Sequence, residues 1–276
     1  MLELRAKAGV ARVITRPVAK YLLITPLASA CCTALALFGL VPSAANAGPP
    51  YRTDDPEPTE FGHYQLYIHS TGTIVSNDTS GSAPAIEFDY GLIPNGQLTI
   101  NAPVAFDSPS GGSTQFGYGD TQLSFKYRFI QEDKDGFRPQ VAIFPLVQFP
   151  TGDADRGLGA GHFVEFFPLW MQKSFGDWTT YGGGGYFINR GAGDQDYWFF
   201  GWLLQRQLTD KLSVAGEIFH QTANKIGRDD STGFNVGAIY DFNEHNHFVF
   251  SVGRGLQNAG TTNELSWYVG YEITGP

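Results

Sequence analysis

The side chains of this chain that could do chemistry sit two residues apart. From Asp120 to Phe129, the polar Asp120, Gln122, Ser124, Lys126 and Arg128 alternate with Thr121, Leu123, Phe125, Tyr127 and Phe129, so one face of an extended segment is charged and the other apolar. The same spacing sets His63, Gln65, Tyr67 and His69 on one face of an earlier segment, and Glu87 and Asp89 on one face of the next. If these faces line a common interior, the cations Lys126 and Arg128 lie near the carboxylates Glu87 and Asp89. Two chemistries fit. One is a transverse field that orients a polar solute in a pore; the other is a set of ion pairs that stiffens the wall.

A second constellation is apolar. Phe144 and Leu146 are expected to face the interior with Glu165, Phe167, Leu169 and Met171, on the reading that Val164, Phe166, Pro168 and Trp170 face outward. The resulting patch would serve as a greasy path for an aromatic or aliphatic solute, or as the surface on which the Pro-rich stretch Gly48 to Glu60 packs as a plug.

Catalytic and metal-binding readings find little support. His220 and Thr222 share one strand face, as a base and nucleophile must, but no orienting acid can be assigned and Ser is absent from the pair. Asp153-Ala154-Asp155 resembles a calcium-loop fragment without the later bidentate Glu. His245 and His247 are too few to close a zinc site. Gly182 to Gly185 lies inside a strand pattern, where glycines make room for aromatic neighbours rather than cradle phosphate. No catalytic residue, metal or cofactor is expected.

The elements that must position these residues are strands. With 34 Gly, 22 Phe, 13 Tyr and 5 Trp but only 16% charged residues, the composition disfavours disorder and suits many short strands with tight turns. Acids outnumber bases, 27 to 18, so nucleic acid is not an expected partner. Alternation recurs in residues 86–90, 98–106, 212–220, 234–242, 248–252 and 265–273, giving about twelve candidate strands, many long enough to cross a bilayer at a tilt.

Their connections alternate in length. Pro94-Asn95-Gly96, Gln131 to Phe137, Phe175-Gly176-Asp177, Leu208 to Lys211 and Asn243 to Asn246 are short. Ser70 to Ala83, Asp107 to Gly119, Pro150 to Gly161, Arg190 to Gln195, Thr222 to Ser231 and Gln257 to Asn263 are mostly longer and rich in small polar residues. Short periplasmic turns with long outer loops predict an all-β, antiparallel transmembrane β-barrel, residues 61–276, of about twelve strands. Trp170, Trp178, Tyr186, Trp198, Trp202, Phe248, Trp267 and Tyr271 are its expected interfacial girdles.

Ahead of the barrel, Arg5, Lys7, Arg12, Arg16 and Lys20 precede an uncharged run from Tyr21 to Val41, and Ala45-Asn46-Ala47 supplies the small residues a signal peptidase needs. Residues 1–47 therefore read as a cleaved signal peptide, whose removal takes away both cysteines, Cys31 and Cys32. Residues 48–60 read as a Pro-rich periplasmic segment.

The stretch Gly48-Pro49-Pro50-Tyr51-Arg52-Thr53-Asp54-Asp55-Pro56-Glu57-Pro58, followed by Glu60-Phe61-Gly62-His63, resembles the opening of a bacterial outer-membrane family. Tyr90-Gly91-Leu92, Ala102-Pro103-Val104, Gly117-Tyr118-Gly119-Asp120, Lys126-Tyr127-Arg128-Phe129 and Phe149-Pro150-Thr151-Gly152 are similar to segments of the transporters grouped under the meta-pathway of phenol degradation. The resemblance implies a monomeric outer-membrane channel or transporter for passive passage of small organic compounds, hydrophobic or aromatic ones among them. Lipids, lipopolysaccharide, the barrel-assembly machinery and the small-molecule solute are the implied partners. The competing readings are a closed structural or adhesion barrel without transport and, third, a lipid hydrolase.

Overall fold

Period-two sequence becomes strand almost throughout. The computed structural model describes residues 49–76, 78–133 and 136–276; the expected signal peptide and the Cys31-Cys32 pair lie outside the described residues. Fourteen stretches are extended: β1 (Tyr64–Val75), β2 (Asp78–Ile93), β3 (Gly96–Ser108), β4 (Gln115–Tyr118), β5 (Gln122–Ile130), β6 (Gln140–Ile143), β7 (Leu146–Gln148), β8 (Val164–Phe175), β9 (Trp178–Asn189), β10 (Tyr197–Thr209), β11 (Leu212–Gln221), β12 (Ser231–Asn243), β13 (Asn246–Gln257) and β14 (Leu265–Gly275). All strand pairings are antiparallel, chain neighbours pair except for β4 with β5 and β6 with β7, and β1 pairs with β14 from Tyr64↔Gly275 to Ile74↔Leu265, so the sheet closes on itself.

Two wall strands are interrupted, which reconciles fourteen stretches with a twelve-stranded barrel. β4 and β5 both pair with β3, and β6 and β7 both lie between β5 and β8. The breaks have a chemical cause: a proline has no N–H to give to a ladder. Phe144-Pro145 splits β6 from β7 opposite Phe167-Pro168 of β8, and Pro103 of β3 lies opposite the gap between β4 and β5, where Gly119 N–H donates to its carbonyl.

The short connections are as expected. Asn95, which adopts a left-handed φ of 63° before Gly96, makes the β2–β3 turn, as hairpin geometry asks of an Asn-Gly pair. At the other end, the expected long connection Ser70 to Ala83 is replaced by strand: β1 runs to Val75 and β2 resumes at Asp78. Thr, Ser and Gly there satisfy both the alternation and the ladder, and their polarity resembled a solvated loop only in composition.

The burial pattern is inverted relative to a soluble protein. Ile86, Phe88, Leu123, Tyr127, Trp198, Phe200, Trp202 and Val252 are exposed on the outside, while Asp89, Gln97, Lys126, Gln140, Gln205, Glu217 and Glu272 are buried within. A soluble sandwich or barrel puts its apolar face inward; an apolar belt around a polar interior belongs to a barrel that meets lipid. Trp178, Trp198, Trp202 and Tyr271 contribute to that belt, but Trp170, expected there, is 1% exposed and lies inside.

Candidate functional site

The interior is occupied by the chain's own N-terminal residues. Pro49, Pro50, Pro56 and Pro58 deprive this stretch of the donors a strand needs, so side chains of the wall take over the remaining amides. Arg52 N–H and Thr53 N–H donate to the two carboxylate oxygens of Glu217 on β11, at 2.9 and 2.8 Å. Thr59 N–H donates to Gln97 Oε1 at 2.7 Å, and Ser251 Oγ donates to the carbonyl of Pro50. Of the two readings of residues 48–60, a periplasmic segment and an internal plug, the contacts of residues 49–60 match the plug: they run inside the barrel as a docked segment.

Charge complementarity fixes the middle of the segment. Lys126 Nζ lies 3.0 Å from Asp54 Oδ1 and 3.7 Å from Asp55 Oδ2, and Arg128 Nη1 lies 3.7 Å from Glu57 Oε1. Burial pushes the Asp55 carboxyl well above the ordinary carboxylate value, with Lys126 pulling it the other way. The sequence pattern paired these cations with Glu87 and Asp89 instead. In the structure Glu87 accepts from Asn101 Nδ2 at 2.9 Å and Asp89 from Thr99 Oγ1, and no ion pair among the described residues joins them to Lys126 or Arg128. The segment, invisible to strand alternation, competes for the cations and wins because it brings three carboxyl groups.

The remaining polar positions also face inward. Tyr67 donates to Glu272 Oε1 at 3.0 Å, Gln65 accepts from Thr59 Oγ1 at 2.9 Å, and Gln122 donates to Gln148 at 3.2 Å. His63 sits at the mouth, with its ring near the carbonyl of Phe61.

An apolar patch does exist inside, with a different membership. Phe166, Trp170, Phe199 and Phe219 form it, with Phe144, Leu146 and Phe187 packed against them. Phe144 and Leu146 point inward as expected. Phe167 and Leu169, expected beside them, are 54% and 44% exposed on the outer wall, with Met171 and Glu165 on the same face of β8. Both faces of β8 are bulky and apolar, so alternation fixes the period but not the phase. Inside, Trp170 finds room because Gly183 lies beside it; a Cβ there would sit 3.1 Å from its ring. The Arg52 guanidinium lies over this patch, 4.4 Å from the centroid of Phe219 and 5.3 Å from that of Phe199.

Sequence reasoning missed Glu217 and Gly201. Glu217 is the one charged residue in Leu212 to Gln221, and that isolation on a strand was the available signal. Gly201 faces the interior, where a Cβ would collide with Thr53.

Above the segment a cavity of about 700 Å³ opens toward the long loops, lined in part by Tyr51, Arg52, Lys225, Arg228 and Tyr268. A second cavity of about 460 Å³ borders His69, Asn101, Gln122 and Gln148. The enzyme-like spacings do not assemble: His220 Nδ1 lies 2.9 Å from Thr232 Oγ1, while Thr222 Oγ1 accepts from Trp198 N–H. His247 pairs with Asp241 at 2.6 Å, and no group of three or more metal-ligating side chains occurs among the described residues.

Residues 62–272 match the family described as "Putative MetA-pathway of phenol degradation". The chain belongs to this family. Its fold is shared with solved outer-membrane proteins. The crystal structure of an outer membrane channel from Pseudomonas putida F1 superposes with a TM-score of 0.65 at 15% identity, covering 83% of this chain and all of that one. The NanC porin superposes with a TM-score of 0.54 at 9% identity, over 75% of this chain and 98% of its own. No curated protein matches the sequence. The family's turn motifs acquire a physical role here. Asp120 of Gly117-Tyr118-Gly119-Asp120 accepts from Gly152 N–H at 2.8 Å and Ala160 N–H at 2.7 Å, and Thr151 Oγ1 donates to the carbonyl of Gly119.

Proposed function

We propose that this family member is a monomeric bacterial outer-membrane channel for the passive passage of small organic compounds, hydrophobic and aromatic ones included, with its N-terminal segment as the internal constriction. One observation carries the reading. The segment is held in the lumen by side chains and by no β-pairing, between a charged wall at Lys126 and Arg128 and an aromatic wall at Phe199 and Phe219. A solute passing it meets both surfaces, and the segment can shift without opening the ladder that closes the barrel. Outer-membrane lipid and lipopolysaccharide would cover the apolar belt, and the barrel-assembly machinery would insert it.

Single-channel conductance of the full processed chain in a planar bilayer tests this. Discrete current that phenol-like solutes reduce and sugar-like solutes leave alone is the expected result. A heat-modifiable barrel without current would instead support a closed structural or adhesion barrel, a reading favoured by the extent to which residues 49–60 fill the interior.

A further inference from the structure

We propose that the outer cavity is a binding site for small aromatic monocarboxylates, with Arg52 as the anion receptor. Arg52 sits at the floor of the cavity of about 700 Å³, a size within the range of small-molecule sites. Its position is set by its own backbone, through the Arg52 N–H bond to Glu217, and by its side chain, which lies on the faces of Phe219 and Phe199. That leaves a preorganised guanidinium with spare donors. Only Nη2 is used, donating to Gln221 Oε1 at 3.0 Å, and no carboxylate lies within ion-pair distance among the described residues. Every other cation of the docked region is neutralised, Lys126 by Asp54 and Arg128 by Glu57.

The ligand class follows from that inventory. A planar fork of donors matches a carboxylate with two parallel hydrogen bonds, and Tyr51 and Tyr268 line the same cavity, giving flat apolar faces for a ring. The wall also carries Asp78 and Asp229 together with Lys225 and Arg228, two charges of each sign that offset one another, so Arg52 supplies the net positive charge and a single carboxylate is its match. The inference deepens the channel reading by naming the solute class, yet binding to the vestibule does not require flux through the barrel.

The test is calorimetric titration of the full processed chain in detergent with benzoate, and with benzamide as the neutral isostere. Benzoate is expected to bind at least about tenfold more tightly than benzamide, the effect of a charge-assisted hydrogen-bonded pair. Arg52→Gln should remove that preference, and Arg52→Lys should restore only part of it, because an ammonium cannot offer the fork. Equal affinity for the two ligands in the unsubstituted chain, or a benzoate affinity unchanged in Arg52→Gln, overturns the proposal. The first comparison needs no variant to fold. Conductance of the same preparation is read separately, so a silent barrel that still discriminates benzoate from benzamide counts against the channel and not against the site.

Discussion

Thr53 packs into the space left by Gly201: a Cβ on Gly201 would fall inside the contact radius of Thr53 Oγ1 and 3.0 Å from its Cβ. A glycine in mid-strand forfeits side-chain packing, and here the vacancy is filled by a residue about 150 positions earlier in the chain. The wall of β10 is therefore shaped for the docked segment.

Gly201→Val should expel the segment while leaving the barrel closed. Overpacking of this kind costs about 1–3 kcal/mol, which moves the docked fraction down by roughly 5- to 150-fold. Trypsin cleavage after Arg52 reports the change, because the docked peptide is sheltered within the barrel. Gly216→Val is the control; a Cβ at Gly216 has nothing nearer than 3.8 Å. Equal cleavage rates in both variants would show that Gly201 does not seat the segment.

Glu217 should hold the segment's first turn. It accepts from two consecutive backbone amides, and from Asn235 Nδ2 as well. Hydrogen bonds to a charged group contribute about 1.5–3 kcal/mol each. Glu217→Ala should therefore free the amides of Arg52 and Thr53, visible as loss of protection in hydrogen–deuterium exchange at those two positions. Glu217→Gln keeps one acceptor oxygen and should lose protection at one amide more than the other.

The two neighbouring acids should behave differently. Asp54 holds the 3.0 Å contact to Lys126, whereas Asp55 is 0% exposed and its carboxyl is already pushed toward the neutral form by burial. Asp54→Asn removes the closest partner of a buried cation, a loss of about 3–5 kcal/mol for such pairs, while Asp55→Asn weakens the longer 3.7 Å contact and should cost less. Accessibility of Lys126 to an amine-reactive probe separates the two: reactivity should rise more in Asp54→Asn than in Asp55→Asn.

Strand alternation made the barrel legible, because period two survives in any strand with one lipid-facing and one polar side. Glu87, Asp89, Gln122, Lys126 and Arg128 were placed on the interior face by that signal, and they lie there. It failed where chemistry does not alternate. In β8, Val164 to Met171 is apolar on both faces, so nothing in the sequence chose between Phe166 and Phe167 as the inward residue; packing against Phe187, Phe199 and Trp170 did. Packing of the Pro-rich segment inside the barrel was legible as one of two readings of the apolar patch, but the partners that hold it were not. Its position depends on contacts between Arg52 and Glu217, or Thr59 and Gln97, that are 165 and 38 residues apart, and no local pattern encodes a pairing of that range.

Asp120 should govern the loop from Phe149 to Gly161. Above Gln122 the edge of β4 has no strand beyond it, and the loop covers that edge in its place: Arg156 Nη2 donates to the carbonyl of Phe116 and its Nε to Gln115. Asp120 pins both ends of the loop through Gly152 and Ala160 and takes a third bond from Gln148 at 2.9 Å. A Cβ at Gly159 would strike the Asp120 carboxylate, so the close approach also depends on that glycine. Asp120→Ala leaves the two amides without their acceptor, and the loop should detach from β4, freeing the backbone at the exposed Arg156 for trypsin. Cleavage after Arg156 should accelerate by roughly 10-fold or more, the equivalent of losing about 1.4 kcal/mol, while the heat-modifiable migration of the barrel persists. Asp120→Asn, which retains one acceptor oxygen, should fall between the two, and an unchanged rate in Asp120→Ala would mean that Arg156 alone anchors the loop.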